Sequence, residues 1–146
     1  MDWYEKKRRI IETFYERLSP ADRIEWATHR KACDRSLFFF IKEVGGSMPK
    51  SGGDISPIIH KPICDAWQDK SRTRQACYMP RSWKKTTSLT LWGNTWEYLQ
   101  DNEIRILIPS EKEDKANEWL LWIEKQILGN RRLRWLYPEL TYITDS

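Results

Sequence analysis

No stretch of this chain stays apolar for long. The longest apolar runs have five residues, such as Leu37-Phe38-Phe39-Phe40-Ile41, whereas a bilayer-spanning helix needs ~20. The N-terminus mixes acids with its bases and lacks an apolar core, so it does not read as a secretory signal. Cysteine is scarce: Cys33, Cys64 and Cys77 form no C-x-x-C pair, and the two histidines are not grouped with them. A disulfide framework and a zinc site are both excluded on that spacing. No repeat or low-complexity tract is present. These absences together predict a soluble intracellular protein with reduced thiols and no membrane contact.

What is abundant is charge and tryptophan. The 25 basic and 21 acidic residues leave a net charge of +4 and are well mixed along the 146 residues. That balance permits contact with nucleic acid or nucleotide phosphates without demanding it. Nine tryptophans suit either core-edge rings or contact surfaces, because the indole N–H needs a partner wherever it is buried. The length fits one domain with a real core.

The first third reads as helices. Trp3, Ile10, Ile11, Phe14 and Leu18 recur at helical spacing, and Lys6 to Arg9 form a basic turn, more readily a solvated face than a DNA contact. Ser19-Pro20 predicts a capped restart, and a third helix is expected from about Ala32 to Val44. Four of the six glycines, Gly45, Gly46, Gly52 and Gly53, then fall beside Pro49 and Pro57 in a linker or mobile loop. A short helix follows from about His60 to Asp69.

Beyond it the pattern turns to alternating strand and helix. Gln75-Ala76-Cys77-Tyr78-Met79 predicts a strand, and Leu89, Trp92, Trp96 and Leu99 predict a helix from Thr86. Ile104-Arg105-Ile106-Leu107-Ile108 predicts a second strand buried on both faces. Ser110-Glu111-Lys112-Glu113 reads as a capping box. It opens a helix with Ala116, Trp119, Leu120, Ile123 and Ile127 on one stripe, ending at Gly129-Asn130. The expected architecture is a β-α-β-α unit of a parallel sheet with a right-handed crossover.

Between the first strand and its helix lies Met79-Pro80-Arg81-Ser82-Trp83-Lys84-Lys85-Thr86-Thr87. A phosphate-binding loop, G-x-x-x-x-G-K-[ST], belongs at such a junction. Lys85 and Thr86 fill its last two places, but Met79 and Lys84 replace both glycines. The helix start offers unpaired N–H groups and the positive end of the macrodipole to an anion. Lys85 is placed to hold the β/γ-phosphates, Thr86 to ligate Mg²⁺, and Arg81 adds a planar donor fork. The residues themselves leave two readings: a phosphate loop, or a basic strand–helix junction.

From about Cys33 to Leu140 the chain resembles the N-terminal ATPase domain of large terminase subunits, the DNA-packaging motors of tailed bacteriophages. The resemblance rests on pieces in order: Asp34-Arg35-Ser36-Leu37-Phe38-Phe39-Phe40, His60-Lys61-Pro62-Ile63-Cys64-Asp65, Pro80-Arg81 with Lys85-Thr86-Thr87, Ile106-Leu107-Ile108-Pro109-Ser110 with Ala116, and Asn130, Leu133 and Tyr137-Pro138-Glu139-Leu140. It implies an N-terminal helical region over residues 1–46, a linker over 47–59, and the front portion of a P-loop ATPase domain over 60–146. It further implies ATP and Mg²⁺ as cofactors. The binding residues would be Arg81, Ser82, Trp83, Lys84, Lys85, Thr86 and Thr87, with His60 near the adenine, Lys85 and Arg81 as catalytic groups, and Thr86 as metal ligand. Implied partners are double-stranded DNA, a portal protein, a small terminase subunit and further copies in a ring, acting in the host cytoplasm at the procapsid.

The sequence departs from the family at one point that matters. Nothing after Thr87 supplies an apolar strand ending in Asp and Glu, the acids that hold Mg²⁺ and activate water, and no nuclease acids follow. Alone, the chain is therefore expected to bind nucleotide weakly without useful hydrolysis. Two other readings are a different P-loop ATPase of helicase type, and a non-catalytic DNA-associated adaptor with a degenerate loop. The basic turn at Arg131, Arg132 and Arg134 is either solvated or a DNA contact.

Overall fold

Ser19 and Pro20 set the first corner of the chain, whose computed structural model describes residues 2–46 and 54–141. Helix α1 (Trp3–Arg17) ends before them and helix α2 (Pro20–Arg35) begins at the proline, where the Ser19 hydroxyl accepts the Asp22 amide at 3.2 Å. Proline suits that place because its missing N–H would have no helical partner there. Arg23 reaches back to the Tyr15 and Glu16 carbonyls at 3.0 and 2.9 Å, satisfying acceptors that the end of α1 leaves exposed.

The third helix is shorter than its periodicity suggests. Ser36 is extended (φ −141°), so α2 stops at Arg35 and a new helix α3 (Leu37–Phe40) runs into a π-helical segment at Ile41–Gly45. Ser36 caps the new start by accepting the Phe39 amide at 3.2 Å. Gln68 then staples the break: its Oε1 accepts the Leu37 amide at 2.8 Å and its Nε2 donates to the Arg35 carbonyl at 2.9 Å. The change of direction places Leu37, Phe40, Ile41 and Val44 at the centre of the molecule, all fully buried.

Every other buried stretch packs on this hub. Cys33 comes from α2, Cys64 from α4 (His60–Gln68), and Trp92 from a second π-helical segment at Thr86–Gly93. Trp96 and Leu99 come from α5 (Asn94–Gln100). Helix α7 (Arg131–Leu136) adds Leu133 and Leu136, and the 3₁₀ turn Pro138–Leu140, with Tyr137 before it, adds Tyr137 and Leu140. Phe40 meets Trp92 and Tyr137 edge-on, at centroid distances of 5.7 and 6.0 Å, a favoured aromatic geometry. Trp96 finds its indole partner in the Cys33 carbonyl at 2.8 Å, and Trp26 finds its own in the Trp135 carbonyl at 3.0 Å.

The expected parallel sheet is absent: among the described residues no strand forms, and the fold is helical. Residues 75–79 and 104–108 form neither helix nor strand, and among the described residues the Ile104 amide alone of theirs has a backbone partner, the Asp101 carbonyl at 3.2 Å. Instead of pairing, they line one groove of about 740 Å³ together with Ile63, Trp67 and Leu89. Tyr78 is 93% exposed and Leu107 88%. A strand is held by neighbours that take its backbone groups, and two short strands alone are marginal even when paired. The β-branched run at Ile104 shows strand propensity and not the partner it requires.

Two smaller expectations also change. The capping box at Ser110 does not form: its hydroxyl accepts the Lys112 amide at 3.4 Å, and helix α6 (Glu113–Gly129) starts behind Lys112, which makes no side-chain cap. Of its expected apolar stripe, Leu120 is 58% exposed, while α6 attaches through Trp122, edge-on to Trp92 at 4.9 Å. The glycine-rich linker, for residues 47–53, and residues 142–146 lie outside the described residues.

A buried polar clamp joins the two ends of the described chain. Arg30 donates to both Glu139 carboxylate oxygens at 2.7 and 3.1 Å and to the Leu136 carbonyl at 2.7 Å. Its guanidinium lies 4.0 Å from the Tyr137 ring centroid, and the Tyr137 hydroxyl donates to Asp34 at 2.7 Å. Burial and the adjacent Asp34 carboxylate push the Tyr137 phenol above its ordinary pKa. The Glu139 side chain is 3% exposed, and without Arg30 only Lys7, at 3.9 Å, would still face its buried charge. Arg30→Ala is expected to lose about 3 kcal/mol of stability in urea unfolding.

Burial separates the cysteines. It pushes the thiols of Cys33 and Cys64 up to about 12, whereas Cys77 is partly exposed in the extended segment. Thiolates, not thiols, are alkylated. Iodoacetamide at pH 8 should therefore label Cys77 alone in the native protein and all three in denaturant, as read by mass spectrometry.

Candidate phosphate-binding site

Residues 79–87 curl around a concavity of about 450 Å³ that they line by themselves. Ser82 and Lys84 are the only non-glycine residues at positive φ among those described, at 69° and 56°. This left-handed region costs an L-residue about 1–2 kcal/mol, and glycine normally occupies it. Lys84 stands where a phosphate loop has its second glycine, and it adopts the conformation that glycine would supply. The helix follows at once: the Ser88 amide donates to the Lys84 carbonyl at 2.8 Å, and the π-helical segment begins at Thr86. No amide from Arg81 to Thr87 donates to a backbone carbonyl outside the helices.

The side chains divide by exposure. Arg81, Ser82, Trp83, Lys85 and Thr86 are exposed, and Lys84 and Thr87 are partly covered. Arg81 and Lys85 thus present their charges at the rim, one on each side of the two left-handed residues. Lys84 is engaged elsewhere, in an ion pair with Asp54, whose carboxyl it holds below its ordinary pKa by hydrogen bonding. His60 is buried at 7% exposure and lies behind the loop. Its Nε2 is 2.9 Å from the Trp83 carbonyl, and its Nδ1 accepts the Ser56 amide at 2.9 Å. Sequence reading did not reach Asp54 or Ser56, because neither belongs to a motif and both act at long or turn-defined range. It also missed Ser88, whose buried hydroxyl has no partner.

The loop fits a phosphate chain better than it fits a metal alone. Unpaired amides, two exposed cations and a helix start all favour an anion. For Mg²⁺ the loop offers the Thr86 hydroxyl, and among the described residues no three His, Cys, Asp or Glu side chains group together. Magnesium commonly takes one or two protein ligands and completes its shell with phosphate oxygens and water. The basic turn of α7 is largely used within the fold. Arg132 donates to Glu43 through Nε at 2.8 Å and stacks on Trp135 at 4.5 Å, and Arg134 donates to the Leu128 carbonyl at 2.9 Å.

Compared with known proteins, the chain matches no family model, no curated protein and no solved structure.

The strain at Lys84 gives a stability test. Lys84→Gly removes the left-handed penalty together with an exposed ion pair worth under ~1 kcal/mol, so the melting temperature should hold or rise. Lys84→Val keeps the penalty and stiffens the side chain, and should lower stability by about 1 kcal/mol or more relative to Lys84→Gly.

Proposed function

We propose that residues 79–87 bind the phosphates of ATP, and that the chain is the ATP-binding front portion of a viral DNA-packaging motor of the terminase type. In that motor, hydrolysis drives double-stranded DNA into a procapsid. The observation that carries the reading is Lys84 at φ 56° immediately before Lys85-Thr86 and a helix start. Lys84, at the place of the second loop glycine, adopts the left-handed turn that a glycine would serve there, whereas Met79, at the place of the first, does not.

A second support is where the terminase-like pieces meet. Asp34, Leu37 and Phe40 pack with Leu133, Tyr137 and Leu140 on one core. That core includes Trp92 of the helix leading out of the loop. The pieces at residues 34–40 and 130–140 are thus joined in space, whereas the piece at 106–110 lies off that core, with Leu107 88% exposed. Among the described residues the chain forms no sheet of the kind such ATPases carry, so the reading rests on the loop.

In this reading Lys85 neutralises phosphate oxygens as a point charge, and the loop amides orient them. The Arg81 fork engages the terminal phosphate or an acid on a neighbouring subunit. Thr86 contributes its hydroxyl to Mg²⁺, which when bound screens the phosphate charge. Portal, small subunit and DNA are the partners the reading entails. The sequence after Thr87 has no apolar strand ending in Asp-Glu, so the chain alone is expected to bind ATP weakly and not turn it over.

Calorimetric titration with ATP, with and without Mg²⁺, tests this. Lys85→Ala should weaken binding roughly 10- to 100-fold, the range for a lost hydrogen bond to a charged group. Equal affinity of the two proteins would sink the proposal.

A further inference from the structure

The chain holds its loop without the strand ladder that would ordinarily anchor one. Among the described residues, 74–80 take part in none of the backbone bonds that a strand ladder would give, so side chains must help to fix the turn. Two contacts do so, and both come from residues 54–60. Asp54 pairs with Lys84, and His60 reaches the Trp83 carbonyl. The ion pair is the weaker candidate, since Asp54 is exposed and screened by solvent. The imidazole is buried.

The chemistry of its partners fixes the tautomer of His60. The Ser56 amide can only donate, so Nδ1 must be the acceptor and the proton resides on Nε2. Nε2–H then donates to the Trp83 carbonyl at 2.9 Å. The ring is itself held from behind, because the His60 amide donates to the Ser56 carbonyl at 2.8 Å while Ser56 N–H returns a bond to the ring. Such a reciprocal pair at a helix start leaves the ring little rotational freedom. Trp83 lies between the two left-handed residues, Ser82 and Lys84. A bond to its carbonyl therefore acts on the Trp83–Lys84 peptide unit, which leads directly into the left-handed Lys84.

We propose that His60 is a positioning residue for the phosphate-binding loop. It is a rigid strut whose Nε2–H fixes the Trp83 carbonyl and, through it, the left-handed turns at Ser82 and Lys84. The inference rests on the phosphate-binding reading for its function, but its geometry can be tested without nucleotide. It gives His60 a role that neither touches ATP nor involves proton transfer.

Three variants separate the strut from general stability. A glutamine amide can place a donor near the position of Nε2, whereas asparagine reaches only the position of Nδ1. The loop carries three trypsin sites, at Arg81, Lys84 and Lys85, so its rigidity can be read as the rate of nicking there under limited proteolysis. His60→Asn and His60→Ala should speed cleavage at these sites about tenfold, with cleavage after Arg30 in the packed core unchanged. His60→Gln should stay within about twofold of the parent. ATP affinity should follow the same order, falling about tenfold in His60→Asn and recovering in His60→Gln. If His60→Ala does not fold, the asparagine and glutamine variants still decide the matter. Equal nicking of those two would overturn the strut, as would acceleration at every site alike. If the nicking order holds but the parent fails to bind ATP, the phosphate reading falls and the strut stands as a feature of the loop.

Discussion

The Arg30–Glu139 pair is the constraint on which the rest of the molecule depends. Both groups are nearly out of solvent, with side-chain exposures of 14% and 3%. Removing ions from water costs several kcal/mol each, and only close geometry with further hydrogen bonds offsets it. Here the Leu136 carbonyl and the Tyr137 ring face complete the arginine's surroundings, and Asp34 takes the tyrosine hydroxyl. Residues more than a hundred positions apart are thereby locked in register. Tyr137 of the clamp meets Phe40 edge-on at 6.0 Å, so the clamp and the hub are fixed to each other.

From the hub the constraint passes outward to the loop. Phe40 seats Trp92, and Trp96 hydrogen-bonds the Cys33 carbonyl, so the helix leaving the loop is fixed along its length. At its other end the loop meets α4 through His60, and α4 is itself packed on the hub through Cys64. Gln75 adds a tether ahead of the loop, donating to the Ala66 carbonyl at 2.6 Å. A short polar turn is in this way suspended between two elements that share one core. Its shape follows from tertiary packing and owes little to local propensity.

Features with local causes were legible in the sequence. The Ser19-Pro20 corner, the start of α4 at His60 and the stop of α6 at Gly129 each follow from the residues at that spot. What failed had non-local causes. The apolar run at residues 104–108 has the composition of a buried strand, yet burial and pairing depend on a neighbour that composition cannot specify. Ser36 broke a continuous helical pattern because Gln68, thirty-one residues beyond Leu37, stabilises the break. At the loop, the residue types singled out Lys85 and Thr86, and the fold leaves both exposed at a helix start. The anchoring by Asp54 and His60 was invisible because it is written in no motif.

The residues that most resemble a terminase are mainly those that build the core. Asp34, Leu133, Tyr137 and Glu139 are partners in the clamp or in the hub, and Asn130 is wholly buried, capping the Leu133 amide and donating to the Val44 carbonyl at 3.0 Å. Such residues report how this chain closes its own core, and carry no reaction by themselves. The chemical argument narrows to the loop, and within it to one substitution. Glycine keeps a phosphate loop turned because it has no side chain to object; Lys84 is turned at a cost of about 1–2 kcal/mol. That cost must be met by the surroundings, and the contacts to Trp83 and Lys84 are placed to meet it. A loop that has lost both glycines can therefore keep its shape only while α4 and the segment before it remain attached.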